Sequence, residues 1–316
     1  MSPELLALGE CMVELFADGP LGEAKRFHRS YGGDTLNVLV AAARLGTSAG
    51  YITKVGDDAF ADYLLSSWRA EGIDTTHARR VPGQNGLYVI SLRADGERDF
   101  TYYRAGSAAS TLGPEDLPLG AIRTARALHV SGISQAISPN CRAAVLAAAR
   151  GAHEAGVLVS YDPNFRAQLW SANEARRAMD EVLPYVDIAL PSAPEEAQAL
   201  LGTSEPERIA QYFHKAGARY VGVKLAGEGG FVSVTGGESA FVPAQAPRGV
   251  VDTTGAGDAF DGAFLYGLLR GLGAASSAKL AALVSGISVG ERGAIPGLPR
   301  REEVAPLAAE QGVTLL

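Results

Sequence analysis

Residues 252 to 260 read Asp-Thr-Thr-Gly-Ala-Gly-Asp-Ala-Phe, and apolar or small residues continue at helical spacing through Phe264, Leu265, Leu268 and Leu269. Gly255 and Gly257 before such a run predict a tight loop feeding a helix N-terminus. There the first backbone N–H groups lack partners within the helix and the macrodipole is positive, which suits an anion, above all a phosphate. Asp258 is the unexpected member, because a carboxylate beside a phosphate site is repelled unless it holds a metal or takes a proton. We read it as a general base. Aspartate in a first helical turn and glycines in a loop are also ordinary capping choices, so the nonapeptide alone leaves capping and chemistry both open.

Other stretches carry polar chemistry. Gly32 and Gly33 precede Asp34 and Asn37, whose groups suit sugar hydroxyls; the plainer alternative is that Asp34 caps a helix and Asn37 faces solvent. Residues 226–230, Ala-Gly-Glu-Gly-Gly, look like a dinucleotide loop, but a strand follows them and not a helix, so the Rossmann fingerprint fails. No Gly-Lys-Ser/Thr supplies a Walker A loop either. Glu195, in Ser192-Ala193-Pro194-Glu195, reads by itself as a first-turn helix carboxylate. Asp162-Pro163-Asn164-Phe165-Arg166 ends a buried strand, where open α/β sheets place their ligands. Arg104 and Arg166 converging on one pocket would suit a carboxylate, which guanidinium binds bidentately, better than a neutral sugar. Each could instead pair with an aspartate or a phosphate.

Residues 252–265, DTTGAGDAFDGAFL, closely resemble the C-terminal signature of the ribokinase-like (PfkB) carbohydrate kinases. The resemblance implies that Asp258 is the catalytic base and that the backbone amides of Gly255, Ala256 and Gly257 form an anion hole. The family's N-terminal signature, a Gly-Gly turn and then Asn, is similar to residues 32–37 and implies Gly33, Asp34 and Asn37 at the sugar, although Leu39 stands where a small residue is usual. ATP contacts are implied for Ser192, Lys224, Gly227, Gly229 and Thr254. Glu195 is implied to hold Mg²⁺ through water, with Ser192 replacing the Asn of an NxxE motif. Within the family, YYRAGSAAS, SGIS and DPNFRAQLW resemble the 2-keto-3-deoxygluconate kinases, which implies Tyr88, Tyr102, Arg104, Ile133 and Arg166 around an acidic sugar. Fructokinases share much of that pattern, and Ala294 stands where some relatives carry an acidic residue. The expected activity is phosphorylation of a terminal hydroxyl of a sugar acid, with ATP, Mg²⁺ and an optional monovalent cation. A fructose, ribose or nucleoside kinase is the alternative within the family, and a catalytically silent sugar sensor is the alternative outside enzymes.

These residues need a scaffold that brings them together. Residues 5 to 16 predict one buried strand and 24 to 31 a polar second one, followed by a helix from Asp34, as cap, to Leu45 with Gly46 as its stop. A strand at SAGYITKVG and a helix at DAFADYLLSSWRAEG continue a β-α-β-α rhythm, which predicts a doubly wound, mostly parallel α/β sheet. Residues 86 to 104 alternate on both sides of Asp95-Gly96, a hairpin signal, and with 24 to 31 they suggest a small β lid over the pocket. From 126 the rhythm resumes: strands at ARALHVSG, GVLVSYDPN, VDIALPS, RYVGVKL and FVSV, helices at 138–155, 171–183, 194–201 and 205–216, two flanking Gly273, and one from Arg300. The expectation is one domain over 1–316 with a discontinuous lid from about 10–34 and 84–106.

With 316 residues and 47% hydrophobic composition the chain can bury a large core, and 20% charged residues exclude a disordered protein. A net charge of −7 without a Lys/Arg cluster argues against nucleic acid as a partner. Cys11 and Cys141 are far apart, which predicts neither a disulfide framework nor a zinc site. The N-terminus lacks a basic signal region and no apolar run reaches membrane-spanning length, so a cytoplasmic enzyme is expected. A lid sheet with an exposed alternating face predicts pairing with its copy, hence a homodimer or a multiple of one.

Overall fold

The apolar run at the N-terminus is two strands serving two sheets. In the computed structural model, which describes residues 3–92 and 98–316, β1 (Leu5–Leu8) lies in a large sheet and β2 (Met12–Ala17) in a small one. The expected single strand from 5 to 16 is therefore broken at Gly9, where an added Cβ would sit 2.1 Å from Thr35 Oγ1. The chain continues through β3 (Phe27–Gly32), α1 (Asp34–Leu45), β4 (Ala49–Val55), α2 (Ala61–Ala70), β5 (Ile73–Asp74), β6 (Ala78–Arg80), β7 (Leu87–Leu92) and β8 (Arg98–Tyr103). Then come α3 (Leu119–Ile122), β9 (Ala127–Ser131), α4 (Gly132–Ile137), α5 (Pro139–Glu154), β10 (Leu158–Asp162), α6 (Ala172–Val182), β11 (Ile188–Ala189), α7 (Glu195–Leu201) and α8 (Pro206–Ala216). The last part holds β12 (Tyr220–Lys224), β13 (Gly229–Val234), β14 (Ser239–Pro243), α9 (Ala256–Leu269), α10 (Ala274–Ser288), α11 (Ala294–Gly297) and α12 (Arg301–Glu310).

The large sheet runs β14-β13-β12-β11-β10-β9-β1-β4-β5, with β6 paired to β4. Its strands run parallel except β13, which is antiparallel to both β12 and β14. From β1 the chain builds outward to β4 and later, on the other side, to β9, so the order reverses beside β1, and ligands of such sheets bind at that reversal beyond the carboxyl ends of the strands. Helices cover both faces. Leu36, Leu39, Phe264 and Leu280 pack one side, while Val145, Ala148, Met179 and Phe213 pack the other. This is the doubly wound α/β fold with a small second sheet. That sheet runs β3-β2-β7-β8, antiparallel at both outer pairs and parallel between β2 and β7. The hairpin strands pair as the alternation predicts; the Asp95-Gly96 turn lies outside the described residues.

Local chemistry sets several boundaries. Ser171 and Glu174 form a capping box that starts α6, and Ser138 Oγ accepts the Cys141 N–H ahead of Pro139 to start α5. Gly46, at φ +113°, ends α1 as expected. Asp34 does not cap that helix: Gly33 is the N-cap, and Asp34 is the first helical residue, its carboxylate turned to accept the Ser131 hydroxyl of β9. Residues 132–137 continue the strand end at Ser131 as a helix, because the Ser131 side chain accepts the Ser134 N–H.

Candidate active site

Three helix starts and strand ends meet beyond the carboxyl edge of the large sheet. Gly255 is the N-cap of α9 at φ +77°, a left-handed conformation that suits glycine, and it turns the chain so that the helix starts at a cleft lined by Gly255 and Gly257, with the Ala256 N–H donating to the Thr253 carbonyl at 3.2 Å. Asp258 is buried in that turn. Its Oδ2 accepts the Asn37 side-chain amide of α1 at 2.7 Å. Burial, and then the negative charge of Asp34, push its carboxyl up to about 7, while the Asn37 bond works to lower it. A carboxylate with that affinity for protons near neutrality can accept one from a hydroxyl. Burial likewise raises the Asp34 carboxyl.

A cavity of about 320 Å³ opens over Asp258. Gly33, Asp34, Asn37, Tyr88, Tyr102, Arg104, Ile133 and Arg166 all line it, together with Thr254 and Gly255. The sequence-derived sugar contacts are thus brought together, and Thr254, expected on the nucleotide side, lies with them. The small sheet roofs this cavity through Met12, Tyr88, Phe100 and Tyr102, with the Tyr88 and Tyr102 rings stacked. The Tyr88 hydroxyl donates to Glu14 at 2.5 Å. Arg104 Nη2 lies 2.6 Å from Glu10 Oε2, so its charge is already countered by a buried carboxylate. Ser107 donates to the other Glu10 oxygen at 2.6 Å. Burial holds the Glu10 carboxyl above its usual range despite Arg104. Arg166 is exposed, bonding only the Phe165 carbonyl among described residues.

A second cavity, of about 460 Å³, is lined by Ser192, Glu195, Lys224, Gly227 and Gly229, and by Ala256 and Gly257 of the α9 start. Gly229, at φ +107°, turns the chain from β12 into β13, and an added Cβ there would meet the Val242 carbonyl at 2.1 Å. A cleft touching Arg166, Ser192, Glu195, Lys224, Gly255, Gly257 and Asp258 joins the two cavities. Glu195 is exposed on it. Lys224 is buried, with Nζ 2.7 Å from Asp162 and 3.1 Å from Asp261. Burial alone would discharge this lysine, but the two carboxylates hold its ammonium above its ordinary value. The Lys224 charge is thus countered within the protein while its side chain lines the second cavity and the cleft. Asp261, one turn beyond Asp258, is raised by burial.

The sequence alone does not assign Glu10, Glu196 or Asp261, the last within the 252–265 stretch, to buried pairs, because a carboxylate is read as solvent-facing unless its distant partner is known. Among the described residues no group of three or more His, Cys, Asp or Glu is arranged to hold a metal ion, and none of the helices is long and apolar enough to cross a membrane.

The model of the pfkB family of carbohydrate kinases matches residues 2–301. The 2-dehydro-3-deoxygluconokinase of Thermoproteus tenax is 34% identical over 308 residues, 96% of this chain and 93% of the relative. That of Bacillus subtilis is 32% identical, covering 98% and 97%. A solved Escherichia coli structure assigned to ribokinase II, in complex with ATP and Mg²⁺, superposes with a TM-score of 0.89 at 27% identity over 98% of this chain and 99% of its own.

Proposed function

The chain belongs to the pfkB family of carbohydrate kinases, and we propose that it transfers the γ-phosphoryl group of ATP to a terminal hydroxyl of the sugar acid 2-keto-3-deoxygluconate. The observation that carries this reading is Asp258, raised to about 7 and held by Asn37 where the two cavities meet at the start of α9. The sugar occupies the cavity under the small sheet. As its hydroxyl oxygen forms a bond to the γ-phosphorus, the proton passes to the Asp258 carboxylate and the bond to the bridging β–γ oxygen breaks, leaving ADP. The anion hole at Gly255, Ala256 and Gly257 receives the transferred group and stabilises its charge, with the Ala256 N–H turning to it from its 3.2 Å bond to the Thr253 carbonyl.

ATP occupies the second cavity against Ser192, Gly227 and Gly229. Glu195 is exposed on the joining cleft, which Asp162, Glu196 and Asp258 also line, but among the described residues no three acids are grouped as a cage; this fits Mg²⁺ held through water, since that ion keeps much of its hydration shell. When bound, Mg²⁺ supplies countercharge to the phosphates. Arg166 offers its guanidinium to the acid's carboxylate, and Arg104, steadied by Glu10, offers its remaining donors. The small sheet acts as a lid that keeps water from the phosphoryl group. Phe27 and Tyr103 on this sheet are 43% and 59% exposed, which supports pairing of two copies through it.

One observation favours a neutral sugar instead: the Glu10–Arg104 pair leaves a single uncompensated guanidinium at the cavity. Initial rates with ATP and Mg²⁺ on 2-keto-3-deoxygluconate, fructose, ribose and adenosine in parallel decide between them. A strong preference for the acid is expected. Preference for a neutral sugar would return Arg104 and Arg166 to structural or phosphate roles, and no turnover would favour the sensor.

A further inference from the structure

Two adjacent glutamates at the start of α7 both line the joining cleft, Glu195 exposed on it and Glu196 buried in its wall. The Glu196 carboxylate bridges two separate loops. Its Oε1 accepts the Ser192 N–H at 2.7 Å and its Oε2 accepts the Phe165 N–H at 2.7 Å. Both loops leave neighbouring parallel strands, β10 and β11, and both reach the cleft, one through Asn164 and Arg166, the other through Ser192. Apart from the local bond of the Asn164 N–H to Asp162 Oδ1 at 3.0 Å, the end of its own strand, the Phe165 bond is among the described residues the hydrogen bond that ties the segment 163–170 to another element. The Ser192 loop has a further anchor, because the Ala193 N–H donates to the Lys224 carbonyl at 2.8 Å.

We propose that Glu196 is a positioning residue for phosphoryl transfer: by accepting one backbone N–H from each loop it fixes Arg166 and Asn164 relative to the start of α9 and Asp258. This rests on the kinase reading above. The demand on the side chain is specific. Two fixed N–H donors need two acceptor oxygens about one carboxylate apart, and an amide of the same shape offers one oxygen and one NH₂. A misplacement of about 1 Å at reacting groups can cost roughly 100-fold in rate. The nucleotide cavity does not include the 163–170 segment.

The test uses the full-length enzyme with Glu196→Gln, which keeps volume and one bond, and Glu196→Ala, which removes both. Turnover is expected to fall in the order wild type, Gln, Ala, by roughly 10-fold or more for Gln, with the KM for ATP unchanged within about threefold. The chain has two tryptophans, Trp68 in the core and Trp170 at the end of the tethered segment. Acrylamide quenching of Trp170 should therefore rise in the same order without any substrate. Glu196→Gln with wild-type kcat overturns the proposal, as does a rise in KM for ATP with kcat intact. If the wild type phosphorylates none of the four sugars, the kinase reading fails; unchanged Trp170 quenching in Glu196→Gln then rejects the tether on its own.

Discussion

Asn37 of α1 and Asp258 of α9 are joined by an amide-to-carboxylate hydrogen bond of 2.7 Å, so the proposed general base is oriented by a different helix from the one that carries it. That bond lowers a carboxyl that burial and Asp34 raise to about 7. Turnover should therefore fall as pH drops through about 7, because a protonated Asp258 cannot take the substrate's proton. Asn37→Ala removes the lowering contribution, and its acid limb in kcat/KM is expected at higher pH. A limb that stays in place would assign the titration to another group.

Asp258→Asn should cost roughly 100-fold or more in kcat for loss of a general base, with sugar binding by calorimetry retained. The same variant should be more stable. The folded carboxyl titrates near 7, above the ordinary 3.8, so its contribution to stability is complete below about pH 4 and is lost as pH rises through about 7. Melting temperatures of the ligand-free protein should show Asp258→Asn gaining over wild type, more at pH 8 than at pH 5. An equal gain at both would place the raised affinity for protons elsewhere.

Arg104 and Arg166 are both expected at an acidic sugar, yet their surroundings separate their effects. Arg104→Gln leaves Glu10 buried without its cation, a loss of about 3 kcal/mol for breaking a buried pair, seen as a lower melting temperature. Exposed Arg166 has no such partner among the described residues, so Arg166→Gln should melt like wild type while kcat/KM falls far more for the acid than for fructose. An equal fall for both sugars would move Arg166 to the phosphates.

The start of α9 was legible in the sequence because its chemistry is local: Gly255, Gly257 and Asp258 are neighbours, and a helix end needs no distant partner to be recognised. The parallel sheet was legible for the same reason, through the alternation of apolar strands and amphipathic helices. Pairings between distant segments were not. Arg104 reads as a free cation until the fold brings Glu10 against it, and the ion pairs of Lys224 with Asp162 and Asp261 likewise appear only once the fold is known. The break at Gly9 is hard to see from sequence because the apolar residues on both sides of Gly9-Glu10 read as one strand, and packing against Thr35 reveals it. Of two adjacent glutamates, sequence cannot tell which turns inward.

Gly255 and Gly257 carry the same side chain for different reasons, which allows the anion hole to be tested apart from the fold. At Gly255 a Cβ would lie 2.8 Å from the Ala294 Cβ, and the φ of +77° is itself unfavourable for alanine. Gly255→Ala should lose about 1–3 kcal/mol of stability along with activity. At Gly257 a Cβ would meet Lys224 carbons and Nζ at no less than 3.7 Å, an ordinary contact in a helical residue, so Gly257→Ala should fold and melt like wild type. Its methyl would nevertheless project at the wall shared by the nucleotide cavity and the joining cleft, where the phosphates approach the helix N–H groups. The expected result is a reduced kcat or a raised KM for ATP at unchanged melting temperature. A Gly257→Ala enzyme with wild-type kinetics would remove the α9 N-terminus from phosphate binding, whatever Gly255→Ala does.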